Sequence, residues 1–267
     1  MHPMLNIAVR AARQAGNLIA RNIGQQDNFE ITTKNKDDLV TSIDKQCEKV
    51  IVDTLMKSYR DHSFLTEEAG LLGNPDSEYQ WVIDPIDGTT NFVQGISHCA
   101  VSIALRHNGK TEIGVVFDPV LNEMFTASRG EGAYLNSRRI RVSNRDSLDG
   151  AIIGTAFPTR YRDRMSAYLV LFSRLISNCA DVRRMGSASL DLCYVACGRF
   201  DGYLEQGLKA WDFAAGELIL REAGGITTDF AGEEGYVKSG NLVSGNPAML
   251  RSLLKVCEAQ TLPAILK

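Results

Sequence analysis

Histidine is scarce in this chain, with four in 267 residues, and cysteine never occurs as a CxxC pair. His2 is terminal, and His62, His98 and His107 stand in polar or turn-like settings with no ligand spacing among them. The six cysteines, at positions 47, 99, 179, 193, 197 and 257, are too dispersed for a small disulfide framework. Zinc modules and stapled scaffolds are thereby excluded. Cys193 and Cys197, four apart in LCYVAC, would share one helix face and read as small apolar packing in a reducing cytosol. Net charge is also nearly absent: a formal −3 with a pI near 5.9 gives no global reason to expect nucleic acid or an anionic membrane as partner. No apolar run is long enough to span a bilayer. The opening MHPMLNIAVRAARQAGNLIARN carries arginines throughout and lacks the pattern of a signal peptide. A cytoplasmic location is the expectation.

What is present is an ordinary globular composition, 44% hydrophobic and 23% charged, enough to bury one large core or two packed ones. Leu5, Ala8, Val9, Ala12, Leu18 and Ile19 recur at helical intervals in the first segment. A second helix pattern follows TTKNKDDLVTSID, with Val50, Ile51, Leu55 and Met56 on its inner face and Thr41 and Asp44 in the spacing of a capping box. Residues Thr33 to Asp38 read as a mobile polar loop. From Ala100 to Ser143 the runs VSIAL, EIGVVF, EMFTAS, GAYLN and IRVS alternate with turn residues, which predicts an antiparallel meander.

After Gly150 the order changes to alternating strand and helix. Helices are expected near Arg162–Ser177, Ser187–Gly198 and Trp211–Ala223, with a last one opened by Asn246-Pro247. Residues 1–148 thus read as an α+β half holding most of the acids of interest, and 149–267 as an α/β half, joined without a linker into one unit.

Four segments deliver acids to predicted strand ends or helix starts: TSID (Asp44), FLTEE (Glu67, Glu68), VIDPIDGTT (Asp84, Asp87) and KAWDFAAGE (Asp212). Singly, each has a plain structural role. Asp44 and Asp212 would cap helices, and Glu67 would be an exposed turn residue. Asp84 and Asp87 resist that account, because an apolar strand carries both into a buried setting. An unpaired charge there costs several kcal/mol, roughly. A cluster of carboxylates without histidine or cysteine suits a hard cation such as Mg²⁺. Beside it, Gly88 permits close backbone approach, and Thr89-Thr90 would open a helical turn whose N–H groups suit a phosphate.

At WVIDPIDGTTNF and WDFAAGELILREAGG the sequence resembles the inositol monophosphatase family of lithium-sensitive, Mg²⁺-dependent phosphatases, and the likeness runs essentially end to end. The resemblance implies a layered αβαβα sandwich and hydrolysis of inositol or related polyol monophosphates, with two or three Mg²⁺ ions per site. It implies Glu67, Asp84 and the carbonyl of Ile86 as ligands of one ion, and Asp84, Asp87 and Asp212 as ligands of a second. Thr89 and Asp44, aided by Glu67, would hold and deprotonate the attacking water, and the N–H groups of Gly88 and Thr89 would hold phosphate. Gly186, Ser187, Ala188 and Glu205 would line the polyol pocket, with Arg183 close by. Lys34 aligns only across a small gap. Homodimers are usual in the family.

Two other readings accompany this one. A fructose bisphosphatase or nucleotide 3′-phosphatase activity would use the same acids. Bacterial members of the family also act as RNA polymerase accessory factors, joining Nus factors in ribosomal RNA antitermination. The stretches NSRRIRVSNR (Arg138, Arg139, Arg141, Arg145) and TRYRDR (Arg160, Arg162, Arg164) are the places where such a role would show.

Overall fold

The chain was analysed as a computed structural model, which describes residues 3–35, 38–158 and 161–258. Helix α1 (Pro3–Asn22) turns an alanine-rich stripe inward: Ala8, Ala11, Ala12 and Ala15 are fully buried, and their small side chains let the helix lie close on its neighbours. Strands β1 (Ile31–Asn35) and β2 (Asp38–Thr41) pair antiparallel, so Thr33–Asn35 and Asp38 of the stretch expected to be a polar loop lie in paired strands, and positions 36 and 37 of it lie outside the described residues. The β-branched runs Ile31-Thr32-Thr33 and Val40-Thr41 favour extended backbone there despite the polar composition. The Lys34 side chain lies outside the described residues.

Helix α2 (Ser42–Met56) begins at the capping box anticipated from Thr41 and Asp44. Thr41 Oγ accepts the N–H groups of Ile43 and Asp44, and Asp44 Oδ2 accepts the Thr41 N–H at 2.8 Å. Val50, expected on its inner face, is only partly covered.

Strands β3 (Ser63–Thr66), β4 (Gly70–Gly73) and β5 (Tyr79–Asp87) come next, followed by the short helix α3 (Thr89–Gln94). The meander follows as β6 (Ala100–His107), β7 (Lys110–Asp118), β8 (Glu123–Ser128), β9 (Gly132–Leu135) and β10 (Arg138–Arg139). The IRVS stretch adds no strand beyond β10. These form one sheet of eight strands in the order β10-β9-β8-β7-β6-β5-β3-β4, antiparallel except for the parallel pair β3–β5.

The second half runs β11 (Ile152–Thr155), α4 (Met165–Asn178), β12 (Asp181–Arg183), α5 (Ala188–Ala196), β13 (Gly202–Glu205) and α6 (Ala210–Glu222). It ends with β14 (Ile226–Thr228), the unanticipated one-turn helix α7 (Tyr236–Ser239), β15 (Leu242–Gly245) and α8 (Pro247–Glu258). Its five strands are ordered β12-β11-β13-β15-β14, the first three parallel.

Five layers result. α1 and α2 cover one face of the large sheet, α5 and α6 fill the space between the two sheets, and α4 and α8 cover the outer face of the small one. Strand β5 shows why: Trp81 and Ile83 pack toward α1 and α2, while Val82 points the other way into the α5–α6 layer. Helix α6 can sit so near β7 because position 114 is glycine. A Cβ there would lie 2.7 Å from the carbonyl oxygen of Ala215. The small residues after Trp211-Asp212 therefore reflect a tight helix-on-sheet contact.

Two histidines prove to be interior residues. The Trp81 indole donates to His62 Nδ1 at 3.1 Å, and burial lowers the His62 pKa. His98 lies 3.3 Å from Asp191 Oδ1, and burial lowers its pKa also. Both stand beside turns in sequence, and tertiary packing covers them. Among the described residues no helix is long and apolar enough to cross a membrane.

Candidate active site

Pro85 has no N–H to give to a ladder, and the β5–β6 register slips between Asp84 and Asp87. Strict alternation would send residues three apart to opposite faces. The irregularity instead lets both aspartates line one cleft of about 880 Å³, together with Glu67, Ile86, Gly88, Thr89, Gly186, Ala188, Glu205 and Asp212. Gly88 closes the turn at φ 95°, a conformation that suits glycine. A Cβ at that position would stand 2.9 Å from the His98 carbonyl oxygen and 3.1 Å from that of Gly186, so this glycine also lets the two halves of the chain meet.

Asp44 and Asp87 are held by contacts distant in sequence, whereas Asp84 and Asp212 accept backbone bonds from near neighbours. Asp44 Oδ1 accepts the Thr89 hydroxyl at 3.2 Å, while Oδ2 accepts the Thr41 hydroxyl at 2.5 Å. Burial raises the Asp44 pKa to about 6 despite those bonds. The Thr89 hydroxyl also lies 3.0 Å from the Ile86 carbonyl, so its one proton serves one acceptor at a time. Asp84 Oδ1 accepts the Ile86 N–H at 3.0 Å.

Asp87 Oδ2 accepts three bonds at the start of α5, from the Ser187 hydroxyl at 2.7 Å, the Ser189 N–H at 2.7 Å and the Ser189 hydroxyl at 2.5 Å. An aspartate of the first half thus caps a helix of the second. Asp212 is the third residue of α6 rather than its cap. Its Oδ2 accepts the Lys209 N–H at 2.6 Å, the same arrangement Asp44 has in α2. Ser102, opposite Asp84 in the β5–β6 register, donates to the Trp211 carbonyl at 3.1 Å and so sets the start of α6 beside Asp84.

The Asp84 pKa stands well above the ordinary carboxylate range. Burial is the largest cause, followed by the charges of Glu67, Asp87 and Asp212, and a hydrogen bond to Glu67 adds to it. Asp87 is raised by burial in the same way, against the pull of its serine donors. Four carboxylates from three segments, with Glu67, Asp87 and Asp212 gathered around buried Asp84, store repulsion that a cation would relieve. Among the described residues these acids do not close into a ready-made cage of three ligands, as mutual repulsion dictates. Their chemistry, oxygen donors only, fits Mg²⁺ and not zinc.

Two residues expected at the pocket are placed differently by the structure. Arg183, which the resemblance puts close to the pocket, is not among the residues that line the cleft. It ends β12 with its guanidinium 2.5 Å from exposed Asp181, and Arg184, the next residue, lines the cleft instead. Neighbouring residues of an extended segment face opposite ways. Ser187 is buried against Asp87 and supports that carboxylate, so it does not line the pocket.

Glu205 does line the cleft. It accepts the Tyr203 hydroxyl, and burial raises its pKa to about 7. Sequence reasoning missed Ser189, Ser102 and Gln206. The second serine of GSAS was a visible signal for the first. Gln206 lines the cleft with both its side-chain amide atoms buried and unpartnered among the described residues, and the Trp211 indole nitrogen is in the same condition. Nothing local marks either one.

A layered α/β fold whose cleft joins clustered carboxylates to a Gly-Thr turn has the parts of a metal-assisted phosphatase. Residues 1–262 match the inositol monophosphatase family model, and the chain belongs to that family. The Nus factor SuhB of Escherichia coli is 54% identical over 254 residues, covering 95% of each chain. The extragenic suppressor protein SuhB of Bartonella henselae has a crystal structure that superposes with a TM-score of 0.94 at 39% identity, covering 97% of this chain and 100% of that one. SaIMPase-II, crystallised with inositol monophosphate bound, superposes at 0.78 with 30% identity, covering 94% and 91%.

Proposed function

We propose that the chain hydrolyses inositol monophosphate and related polyol monophosphates to the free polyol and inorganic phosphate, with Mg²⁺ as cofactor. The observation that carries this reading is the convergence of Glu67, Asp84, Asp87 and Asp212 on one buried point beside the Gly88-Thr89 turn. Family membership and a relative with inositol monophosphate bound support the substrate class.

Glu67, Asp84, the Ile86 carbonyl, Asp87 and Asp212 would hold the two or three ions. When bound, Mg²⁺ supplies Lewis acidity that makes water a better nucleophile and offsets charge on phosphoryl oxygens. The chain's own groups do the rest. The first-turn N–H groups at Gly88 and Thr89 have no intrahelical acceptor and hold the phosphate oxygens. Thr89 donates to Asp44, so its oxygen can accept the water's proton as Asp44 takes the hydroxyl proton. An Asp44 pKa of about 6 lies close enough to neutrality for that exchange. As the water oxygen bonds to phosphorus, the phosphorus–ester oxygen bond breaks, and the departing alkoxide takes a proton from a solvent water, whose hydroxide is neutralised by the proton Asp44 has gained. Glu205 accepts hydrogen bonds from substrate hydroxyls and, with Gly186 and Ala188, selects a polyol. Arg184, which lines the cleft, supplies positive charge beside the phosphate.

Phosphate release from a panel of inositol, sugar-alcohol, glycerol, fructose bis- and nucleotide 3′-phosphates, with and without Mg²⁺ and Li⁺, tests the proposal. Mg²⁺-dependent, Li⁺-inhibited release from inositol monophosphate is expected. Preference for a bisphosphate or a nucleotide would overturn the substrate assignment. A cytoplasmic location and a homodimer accompany this reading.

A second reading rests on the relatives named Nus factor SuhB. Arg138, Arg139 and Arg141 are exposed on or just after the last strand of the large sheet. Arg145 pairs with Asp201 at 3.3 Å, Arg164 stacks on Tyr161, and Arg162 lines the cleft. Arg160 lies outside the described residues. A scaffold role with RNA polymerase and Nus factors would survive loss of the metal ligands. Capture of those components by Asp84→Asn protein would support it, and failure of both wild type and variant to capture them would refute it.

A further inference from the structure

Glu48 is a buried carboxylate, 5% exposed, that neither motif includes. Its Oε2 accepts the N–H of Glu68 at 2.9 Å, and its Oε1 accepts the N–H of Ala69 at 3.0 Å. The N–H of Glu67 is fixed separately, to the Ile83 carbonyl of β5 at 3.2 Å. Three consecutive amides are therefore pinned, one to the strand that carries Asp84 and two to a single side chain of α2. Between those anchors stands the Cα of Glu67.

Glu48 lies four residues after Asp44, one turn along the same face of α2. Asp44 holds Thr89 and Glu48 holds the Glu67 turn, so one rigid helix sets the spacing between the proposed water-holding pair and the proposed metal ligand. We propose that Glu48 is a positioning residue that fixes the Glu67 carboxylate for cation binding; this rests on the phosphatase reading above.

The alternative is that Glu48 merely braces a turn. Burial raises the Glu48 pKa, and the two N–H donors oppose that rise. The geometry favours the positioning role. A carboxylate that accepts one bond from each of two successive amides holds Glu68 at both of its peptides and so fixes the direction in which the chain leaves Glu67. A single bond would fix the location alone. Supporting side chains of this kind around metal ligands typically alter metal affinity by about 10–100-fold.

The test uses the full chain and the conservative pair Glu48→Gln and Glu48→Asp, with MgCl₂ as probe. Glutamine has one acceptor oxygen where glutamate has two, so either the Glu68 N–H loses its partner or the Ala69 N–H is left with the Thr66 hydroxyl alone, at 3.3 Å. Aspartate keeps both oxygens on a shorter stem. Mg²⁺ half-saturation is read from thermal upshift and, separately, from phosphate release. Glu48→Gln should raise both by about 10-fold or more while kcat at saturating Mg²⁺ and the urea midpoint in EDTA change little, and Glu48→Asp should recover part of the affinity.

Amide hydrogen exchange at Glu68 and Ala69 should be slow in wild type and faster in Glu48→Gln. Unchanged Mg²⁺ half-saturation in folded Glu48→Gln overturns the inference and leaves the phosphatase reading intact. Should Glu48→Gln fail to fold, Glu48→Asp and the wild-type exchange rates still decide: fast exchange at both amides, or unaltered affinity in Glu48→Asp, overturns it. A wild type with no Mg²⁺-dependent upshift or turnover refutes the underlying reading and the inference with it.

Discussion

Replacing Asp84 with asparagine should make this protein more stable without Mg²⁺ and less stable with it. Asp84 is 2% exposed and sits in the field of Glu67, Asp87 and Asp212. Its one backbone bond, from the Ile86 N–H to Oδ1, is a bond that asparagine's carbonyl oxygen can keep. The substitution therefore removes charge and little else. The sign follows from linkage. A carboxyl whose folded pKa is raised contributes fully below its unfolded value of about 4 and loses that contribution as pH rises through the folded value. At pH 7 the wild-type carboxylate thus weighs against folding, and each unit of upward shift corresponds to about 1.4 kcal/mol.

In a chain of this size each kcal/mol moves Tm by about 2–4 °C. In EDTA, Asp84→Asn should melt several degrees above wild type. Mg²⁺ at about 100 times its Kd adds about 2.7 kcal/mol to a protein that binds it, or about 5–11 °C. Wild type should gain that increment, and the variant should lose most of it along with nearly all turnover. The order of melting temperatures then reverses between the two buffers. Scanning calorimetry of both proteins in EDTA and in Mg²⁺ gives the four values needed. A variant that melts below wild type in EDTA, or that gains as much from Mg²⁺ as wild type does, refutes the reasoning.

Glu205, with a pKa of about 7, and Asp44, at about 6, likewise contribute below their unfolded values and lose that contribution as pH rises through 6 and 7. The lowered His62 and His98 act oppositely, but only below about 6.5. The urea midpoint in EDTA should therefore fall between pH 6.5 and pH 8, and Glu205→Gln should flatten that slope; an equal slope in the variant would refute the assignment. Gly88→Ala combines a left-handed φ with an approach of 2.9 Å to the His98 carbonyl, for a loss of about 2–4 kcal/mol in urea titrations, together with loss of turnover. Gln206→Met removes two orphaned amide atoms and should stabilise by about 1–2 kcal/mol, with a changed KM for polyol phosphates. No change in either quantity would show that the amide is already satisfied.

Much of the fold was legible because its signals are local. The capping box at Thr41 and Asp44, the turn-punctuated meander, and the Asn246-Pro247 start of α8 all concern neighbours within a few residues. The hairpin over β1 and β2 was not legible, since its composition is that of a loop and only pairing makes it a strand. For the acids the limit lay elsewhere. Residue type and spacing marked Asp84 and Asp87 as unusual and suggested oxygen ligation, and the motif resemblance supplied partners for them. The groups that hold those acids carry no such mark. Ser189 reaches Asp87 across 102 residues, Ser102 reaches Trp211 across 109, and Glu48 reaches the Glu67 turn across 20.

The sequence by itself determined the element order, the apolar faces and the kind of atom offered to a ligand, because periodicity and side-chain chemistry are written residue by residue. Tertiary structure alone decided which arginine of the Arg183-Arg184 pair lines the cleft, which serine supports a carboxylate instead of lining the pocket, and how far burial lifts Asp44, Asp84 and Glu205 above ordinary acids. Those outcomes depend on direction and on local dielectric, and both arise only when segments distant in the chain are packed against one another.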